Sequence, residues 1–206
     1  MNPFEDIHTK SRRWELHDNG IDIVYDADFL PREDADRLFE ALKNEIPWGR
    51  VVIQTPGGPK TVPRMISWHA DPGLTYSYSG LTHAWRGWTP ALVEIKTVLE
   101  QKLGATFNGC LANFYENERD SVSMHADDEE DMEKGASIAS VSLGATREFI
   151  VRHMETKAKH AIPLEHGSLI VMAGDTQKVS RHGIPKCRRT CDPRINLTFR
   201  KTLNGT

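Results

Sequence analysis

Arg194-Ile195-Asn196-Leu197-Thr198-Phe199-Arg200 alternates polar and apolar side chains without a break. On a β-strand, alternate residues point to opposite faces. Ile195, Leu197 and Phe199 therefore share one face, and Arg194, Asn196, Thr198 and Arg200 the other. The apolar face predicts a strand packed on a core. The polar face would carry two guanidinium groups into a sheet interior, which is costly unless anionic partners meet them there. An edge strand with two solvated arginines is the alternative, and this stretch alone does not choose between them.

The same rhythm recurs upstream. Short alternating or apolar runs cover Phe107–Tyr115, Ile138–Leu143, Glu148–His153 and Ser168–Met172, with turn residues between them, and the last run extends over Ile195–Lys201. Before Gly104 the period is helical. Pro31-Arg-Glu-Asp has proline in the first turn and acids at the positive end of the dipole. Leu38, Phe39, Leu42 and Ile46 follow at helical spacing until Pro47. A second helix is predicted from Thr89-Pro90 to Leu103, with Leu92, Ile95, Leu99 and Leu103 as its buried stripe and Gly104 as its cap. Met1 to Asn19 is polar and reads as loosely ordered. Many short strands after two helices predict an α+β chain whose core is a double-stranded β-helix, or jelly roll, braced by N-terminal helices. One domain over residues 1–206 is expected, with the extension and bracing helices to about residue 104 and the jelly-roll core over about 105–201.

The hydrophobic content of 38% supports a real core. No run of about 20 apolar residues is present, so no membrane-spanning helix is expected. The start, Met-Asn-Pro-Phe-Glu-Asp, lacks the basic and apolar segments of a signal peptide. The expected location is intracellular: cytoplasmic in a bacterial host, with the nucleus open in a eukaryotic one. Cys110, Cys187 and Cys191 cannot all pair, and Cys187-x3-Cys191 lacks the second ligand pair of a structural zinc site. All three are read as reduced. Net charge is −3, but from Arg147 to Thr206 there are 12 Lys+Arg against 5 Asp+Glu, which leaves −10 on the rest of the chain. Such asymmetry suits a nucleic-acid face, and also suits ordinary solvated surface.

His125 and Asp127, two apart in Ser-Met-His125-Ala-Asp127, share a face if they stand on a strand end and can chelate one ion from one side. His182, in Ser-Arg-His182-Gly, can join them if the sheet folds back. Two imidazoles and one carboxylate occupy one face of an octahedral ion and leave its other positions open, which is the ligand set of non-haem Fe(II) oxygenases. A lone His-x-Asp is more often a surface hydrogen bond. The arginine strand changes the balance. Guanidinium forks match carboxylates in bidentate fashion, so Arg194 and Arg200 suit a dicarboxylate such as 2-oxoglutarate. Asn113 and Tyr115 share a face in Asn113-Phe-Tyr115 and are placed to donate to the same ligand.

In chain order the motifs are Asn113-Phe-Tyr115, His125-Ala-Asp127-Asp-Glu129, Ile138-Ala-Ser-Val-Ser-Leu-Gly144, Glu165-His-Gly-Ser-Leu169, His182-Gly183 and Arg194-Ile-Asn-Leu-Thr-Phe-Arg200. Together they resemble the AlkB family of Fe(II)- and 2-oxoglutarate-dependent nucleic-acid demethylases, over roughly Val62 to Lys201. The resemblance implies His125, Asp127 and His182 as iron ligands. It implies Asn113, Tyr115, Arg194, Asn196, Thr198 and Arg200 as contacts to 2-oxoglutarate, with O2 as the further co-substrate. Glu129 falls where the family places an acid near the target base. Val62-Pro-Arg64 and Tyr76-Ser-Tyr78-Ser-Gly80 resemble a substrate lid, and Trp68 falls near an aromatic that stacks on the flipped base.

The implied reaction is oxidative demethylation of bases such as 1-methyladenine or 3-methylcytosine in DNA or RNA, giving formaldehyde, succinate and CO2. The substrate base is cationic, and Glu129 with Asp128, Glu130, Asp131 and Glu133 would favour it over a neutral base. Arg147, Arg152, Lys157 and Lys159 are candidates to track phosphates. One stretch departs from the family pattern. Duplex-acting members carry an apolar or aromatic wedge before Val-Pro-Arg, whereas Gln54-Thr-Pro-Gly-Gly-Pro-Lys60 reads as a hairpin turn with no aromatic tip. Single-stranded DNA or RNA is therefore expected at least as strongly as duplex. A monomer without a membrane partner is expected. A 2-oxoglutarate oxygenase acting on a protein or small molecule remains an alternative. So does a non-catalytic nucleic-acid-binding module with a structural metal, which would have no use for the arginine strand.

Overall fold

A computed structural model describes residues 12–55, 57–78, 81–83, 85–128 and 131–203. Strands β1 (Arg13–Asp18) and β2 (Ile21–Asp26) lead into helix α1 (Arg32–Glu45), the hairpin of β3 (Gly49–Thr55) and β4 (Gly58–Ala70), the short pair β5 (Tyr76–Tyr78) and β6 (Leu81–His83), and helix α2 (Pro90–Leu103). Then come β7 (Gly109–Tyr115), β8 (Val122–His125), β9 (Ile138–Gly144), β10 (Arg147–His153), β11 (Lys159–Leu164) and β12 (Ser168–Ala173). The one-turn helix α3 (Thr176–Val179), β13 (Ser180–Ile184) and β14 (Arg194–Arg200) complete the chain. A large sheet runs β1-β2-β12-β9-β14-β7-β4-β3, and a small one β11-β10-β13-β8. Neighbouring strands in both pair antiparallel. This is the expected jelly-roll sandwich, and β1 to β4, from the part of the chain before Gly104, extend its large sheet.

Two apolar layers hold it together. On one face of the large sheet, Ile195, Leu197 and Phe199 pack with Val141, Leu143 and Ala112 against Leu38 and Leu42 of α1 and Leu92, Ile95 and Leu99 of α2. Between the sheets, Ile23, Ile170, Met172, Tyr115, Phe149, Val151, Ile162 and Leu164 form the second. The helices end where local chemistry ends them. Thr89 Oγ1 accepts from Leu92 N at the start of α2, and Gly104 at φ 61 closes it in the left-handed region.

Two expectations are corrected here. Arg13–Asp18 is a strand, not loose chain: it pairs with β2, and Trp14 packs on Tyr25 with ring centroids 5.1 Å apart. Its polar composition reflects an edge position with exposed side chains. Cys187 and Cys191 are joined in a disulfide across a Cα separation of 6.7 Å, leaving Cys110 free and buried. Absence of a zinc motif says nothing against a pair that a loop between β13 and β14 turns toward each other. Among the described residues no helix is long and apolar enough to cross a membrane.

Trp68 of β4 fills the space that Gly109 leaves on β7. A Cβ at Gly109 would lie 2.3 Å from Trp68 Cη2. Gly109→Ala is expected to cost about 1–3 kcal/mol of stability through overpacking. Urea unfolding should show a lower midpoint at unchanged slope, whereas an unchanged midpoint would mean that the indole has room to shift.

Candidate active site

His125 ends β8 and His182 stands in β13. The two are direct cross-strand partners in the small sheet. That register brings residues far apart in sequence into one place, with ring centroids 4.5 Å apart. Asp127 lies just past the end of β8, with its amide donating to Gln177 Oε1 of α3 at 2.9 Å. Its carboxylate sits 3.6 Å from His125 Nε2 and 3.7 Å from His182 Nε2. One ligand atom from each of the three lies within 4.8 Å of the others, the one such group of metal-binding side chains among the described residues. His125 Nδ1 contacts Ser123 O at 2.9 Å; protonated there, the ring presents its Nε2 lone pair to the cluster. Asp127 and His182 are buried and His125 is half-buried, so the cluster opens on the His125 side.

Charge is managed by β14. Arg200 Nη2 donates to Asp127 Oδ1 at 2.7 Å, with both side chains 3% exposed. Burial alone would raise the Asp127 carboxyl. The Arg200 charge and the two imidazoles outweigh it and hold the carboxyl well below the usual range, so it is ionised. Burial lowers His182 to about 3, so the imidazole is neutral and its lone pair is available. Arg194, fully buried, is lowered by desolvation to about 10, with Tyr115 opposing and Arg147 reinforcing the shift. It donates from Nη2 to Ser142 Oγ at 2.9 Å and lies 5.0 Å from the Tyr115 ring centroid. Its Nε and Nη1 have no hydrogen-bond partner among the described residues. A buried guanidinium with two idle nitrogens, three N–H donors in all, calls for an anion.

A cavity opens at the Arg200 end of β14; Arg194, wholly buried, is not on its wall. Asn113, Tyr115, Asn196 and Thr198 line it beside Arg200 and the three clustered residues, with Phe149, Leu164 and Ile184 as apolar wall. Arg64 lines it too, donating from Nε to Asn113 Oδ1 at 2.6 Å and so orienting that amide. Asn196 donates to Ser140 Oγ at 2.5 Å. Ser140, Ser142 and Gln177 were not singled out from the sequence. The serines had a readable signal, since they alternate with Ala139, Val141 and Leu143 on the inward face of β9. Gln177 had none, because its role depends on where α3 packs.

Other predicted residues fall elsewhere. Trp68 is 2% exposed in a small apolar cluster with Ala70, Leu74 and Leu111, and does not line the cavity. Stacking on an extruded base from that position is corrected: the indole is spent filling the gap over Gly109. Arg147 is also buried, donating to Asp120 O and Pro185 O rather than facing phosphates. Arg152, Lys157 and Lys159 are exposed. Tyr76 and Tyr78 belong to β5, and their side chains lie outside the described residues. Glu129 and Glu130 lie outside the described residues.

The model of the 2OG-Fe(II) oxygenase superfamily matches residues 22–200. The chain belongs to that superfamily. It is 36% identical over 208 residues to the DNA oxidative demethylase ALKBH2 of Homo sapiens, covering 95% of this chain and 79% of that protein. It is also 36% identical over 182 residues to the human alpha-ketoglutarate-dependent dioxygenase alkB homolog 3, covering 84% and 63%. Among solved structures, OsALKBH1 superposes with a TM-score of 0.67 at 17% identity, covering 91% of this chain and all of that one. A Pseudomonas putida prolyl-4-hydroxylase superposes with 0.54 at 16% identity, covering 88% and 93%. Both share the fold. This AlkB-like oxygenase is an Fe(II)- and 2-oxoglutarate-dependent dioxygenase that uses O2. Its donor set and the idle N–H groups of Arg194 fit a divalent ion and a dicarboxylate.

If the cluster takes a metal, Mn(II) or Co(II) at a hundredfold excess over Kd should stabilise the fold by about 2.7 kcal/mol. Thermal unfolding should show a rise that chelation reverses and that His125→Ala abolishes. An equal rise in His125→Ala would place the ion elsewhere.

Proposed function

We propose that this oxygenase removes N-methyl groups from bases of single-stranded nucleic acid, with His125, Asp127 and His182 holding Fe(II). The observation that carries the site assignment is the direct pairing of His125 with His182 beside an ionised, buried Asp127. Arg194 and Arg200 hold the two ends of 2-oxoglutarate, supported by the idle N–H groups of Arg194 and the place of Arg200 against the ligand carboxylate. Asn113, Tyr115, Asn196 and Thr198 flank it. Bound iron and 2-oxoglutarate supply the oxidising power that turns an N-methyl group into formaldehyde, with succinate and CO2 as co-products.

The protein's own part is positioning. Arg200 keeps Asp127 ionised, Arg64 aims the Asn113 amide, and Phe149, Leu164 and Ile184 limit water around the reacting groups. The nucleic-acid substrate is supported by the two human relatives at 36% identity, one of which is named a DNA oxidative demethylase. Tyr76 and Tyr78 are proposed as the base-contacting aromatics and Glu129 as the acid that favours a cationic base. The β3–β4 hairpin supports single-stranded substrates: Thr55 pairs with Gly58, so the turn is tight, and its sequence carries no aromatic. The enzyme acts as a monomer.

Three measurements test this reading. His125→Ala should abolish formaldehyde release from an oligonucleotide bearing 1-methyladenine; retained turnover would refute the ligand set. Arg194→Leu should raise the KM for 2-oxoglutarate roughly tenfold to hundredfold, the worth of a buried hydrogen bond to a charge, and leave that for the oligonucleotide unchanged. A parallel rise in both would remove Arg194 from the co-substrate site. Single-stranded methylated substrate should be turned over faster than the same strand in duplex, and a clear duplex preference would overturn the hairpin argument.

A further inference from the structure

The loop from Pro185 to Pro193 joins β13, which carries His182, to β14, which opens on Arg194. Its ends are pinned. Arg147 Nη2 donates to Pro185 O at 2.6 Å, Cys187 N to Glu118 O at 2.9 Å, and Ala145 N to Pro193 O at 3.0 Å. The tip between these pins is closed by the Cys187–Cys191 disulfide. Both cysteines are half-buried, and Lys186, Arg188 and Arg189 around them are exposed. The disulfide and these cations, with Lys159, line one open cleft that also includes Glu148.

We propose that Cys187–Cys191 is a reversible thiol–disulfide exchange site, through which a low-molecular-weight thiol such as glutathione sets the affinity of the basic loop tip for nucleic-acid phosphates. The second half of this proposal rests on the nucleic-acid reading above. A disulfide within reach of solvent can be attacked, and cationic surroundings attract an anionic thiol and stabilise the thiolate it displaces. One glutathione thiolate attacks one sulfur, giving a mixed disulfide and a free protein thiolate. A second glutathione thiolate then displaces the other cysteine. Two protein thiols and one glutathione disulfide result, with two electrons passed to the protein; the reverse reaction closes the ring again. Cys110 takes no part, since it lies in the helix-side core and burial pushes its thiol up.

The consequence is local. β13 is held by its ladders to β10 and β8, and β14 by its ladders to β7 and β9, so opening the ring leaves the metal and co-substrate side chains in place. Lys186, Arg188 and Arg189 instead lose a fixed backbone. More of their freedom must then be given up on binding, which predicts roughly threefold to tenfold weaker phosphate binding in the reduced form.

The test uses the full chain equilibrated in glutathione and glutathione-disulfide mixtures, quenched in acid, unfolded and alkylated. Mass spectrometry should show one constant label, from Cys110, and two that appear together as the mixture becomes reducing. A bond that no mixture breaks, or thiols that no mixture joins, overturns the exchange site. Anisotropy of a fluorescent single-stranded oligonucleotide should then report the stated loss of affinity on reduction, with 2-oxoglutarate binding unchanged. The double variant Cys187→Ser, Cys191→Ser should match the reduced protein and ignore glutathione. Equal binding in both states overturns the coupling to the loop. Absence of oligonucleotide binding in either state overturns the nucleic-acid reading itself, which the labelling experiment does not depend on.

Discussion

A carboxylate and a guanidinium, each 3% exposed and 2.7 Å apart, join the two halves of this structure. Asp127 belongs to the segment that follows β8 in the small sheet, and Arg200 ends β14 in the middle of the large one. Neither charge is stable alone in that interior: an isolated buried ion costs several kcal/mol, and together they cost far less. The pair therefore ties the approach of the two sheets to the ionisation of a ligand carboxylate. It also sets the polarity of the cavity, because the remaining face of Asp127 is turned to His125 and His182.

The strand β14 shows how one sequence pattern serves packing and chemistry together. Its odd-numbered residues, Ile195, Leu197 and Phe199, are buried against α1 and α2. Of its even-numbered residues, Asn196, Thr198 and Arg200 line the cavity between the sheets, and Arg194 is wholly buried. A slip of one residue against β7 or β9 would turn the arginines into the helix-side core and the aliphatic side chains into the site. The apolar layer thus holds the polar layer in register. Arg194, with Ser142 as one partner and two idle nitrogens, accepts a desolvation cost that a dicarboxylate can offset.

Much of this was legible in the residues. The helices over Arg32–Glu45 and Pro90–Leu103 followed from spacing and caps, and β9, β10, β12 and β14 from alternation. Strands β1 to β6, β11 and β13 were not legible in this way: β5, β6 and β13 are short, and β1, β3 and β11 sit at sheet edges, where one exposed face blurs the pattern. Trp68 illustrates the opposite error. An aromatic near a lid motif suggested a base platform, but the same two-residue period that aims it inward sets it over Gly109, where it is needed to fill space. The cysteine pair was misjudged for a related reason, since whether two thiols meet depends on the path of a loop that has no periodicity.

By itself the sequence determined the chemistry available: two imidazoles and a carboxylate for a metal, two arginines on one strand face for a dicarboxylate, and alternating strands to carry them. Those choices are written in residue type and in periods of two and 3.6, which are local. Only the tertiary structure decided which groups meet. The pairing of His125 with His182, the placing of Gln177 under Asp127, the burial of Arg147 and Trp68, and the closure of Cys187 on Cys191 all depend on sheet register and loop path. These are set by how two apolar layers pack across the whole chain, and no local stretch contains that information.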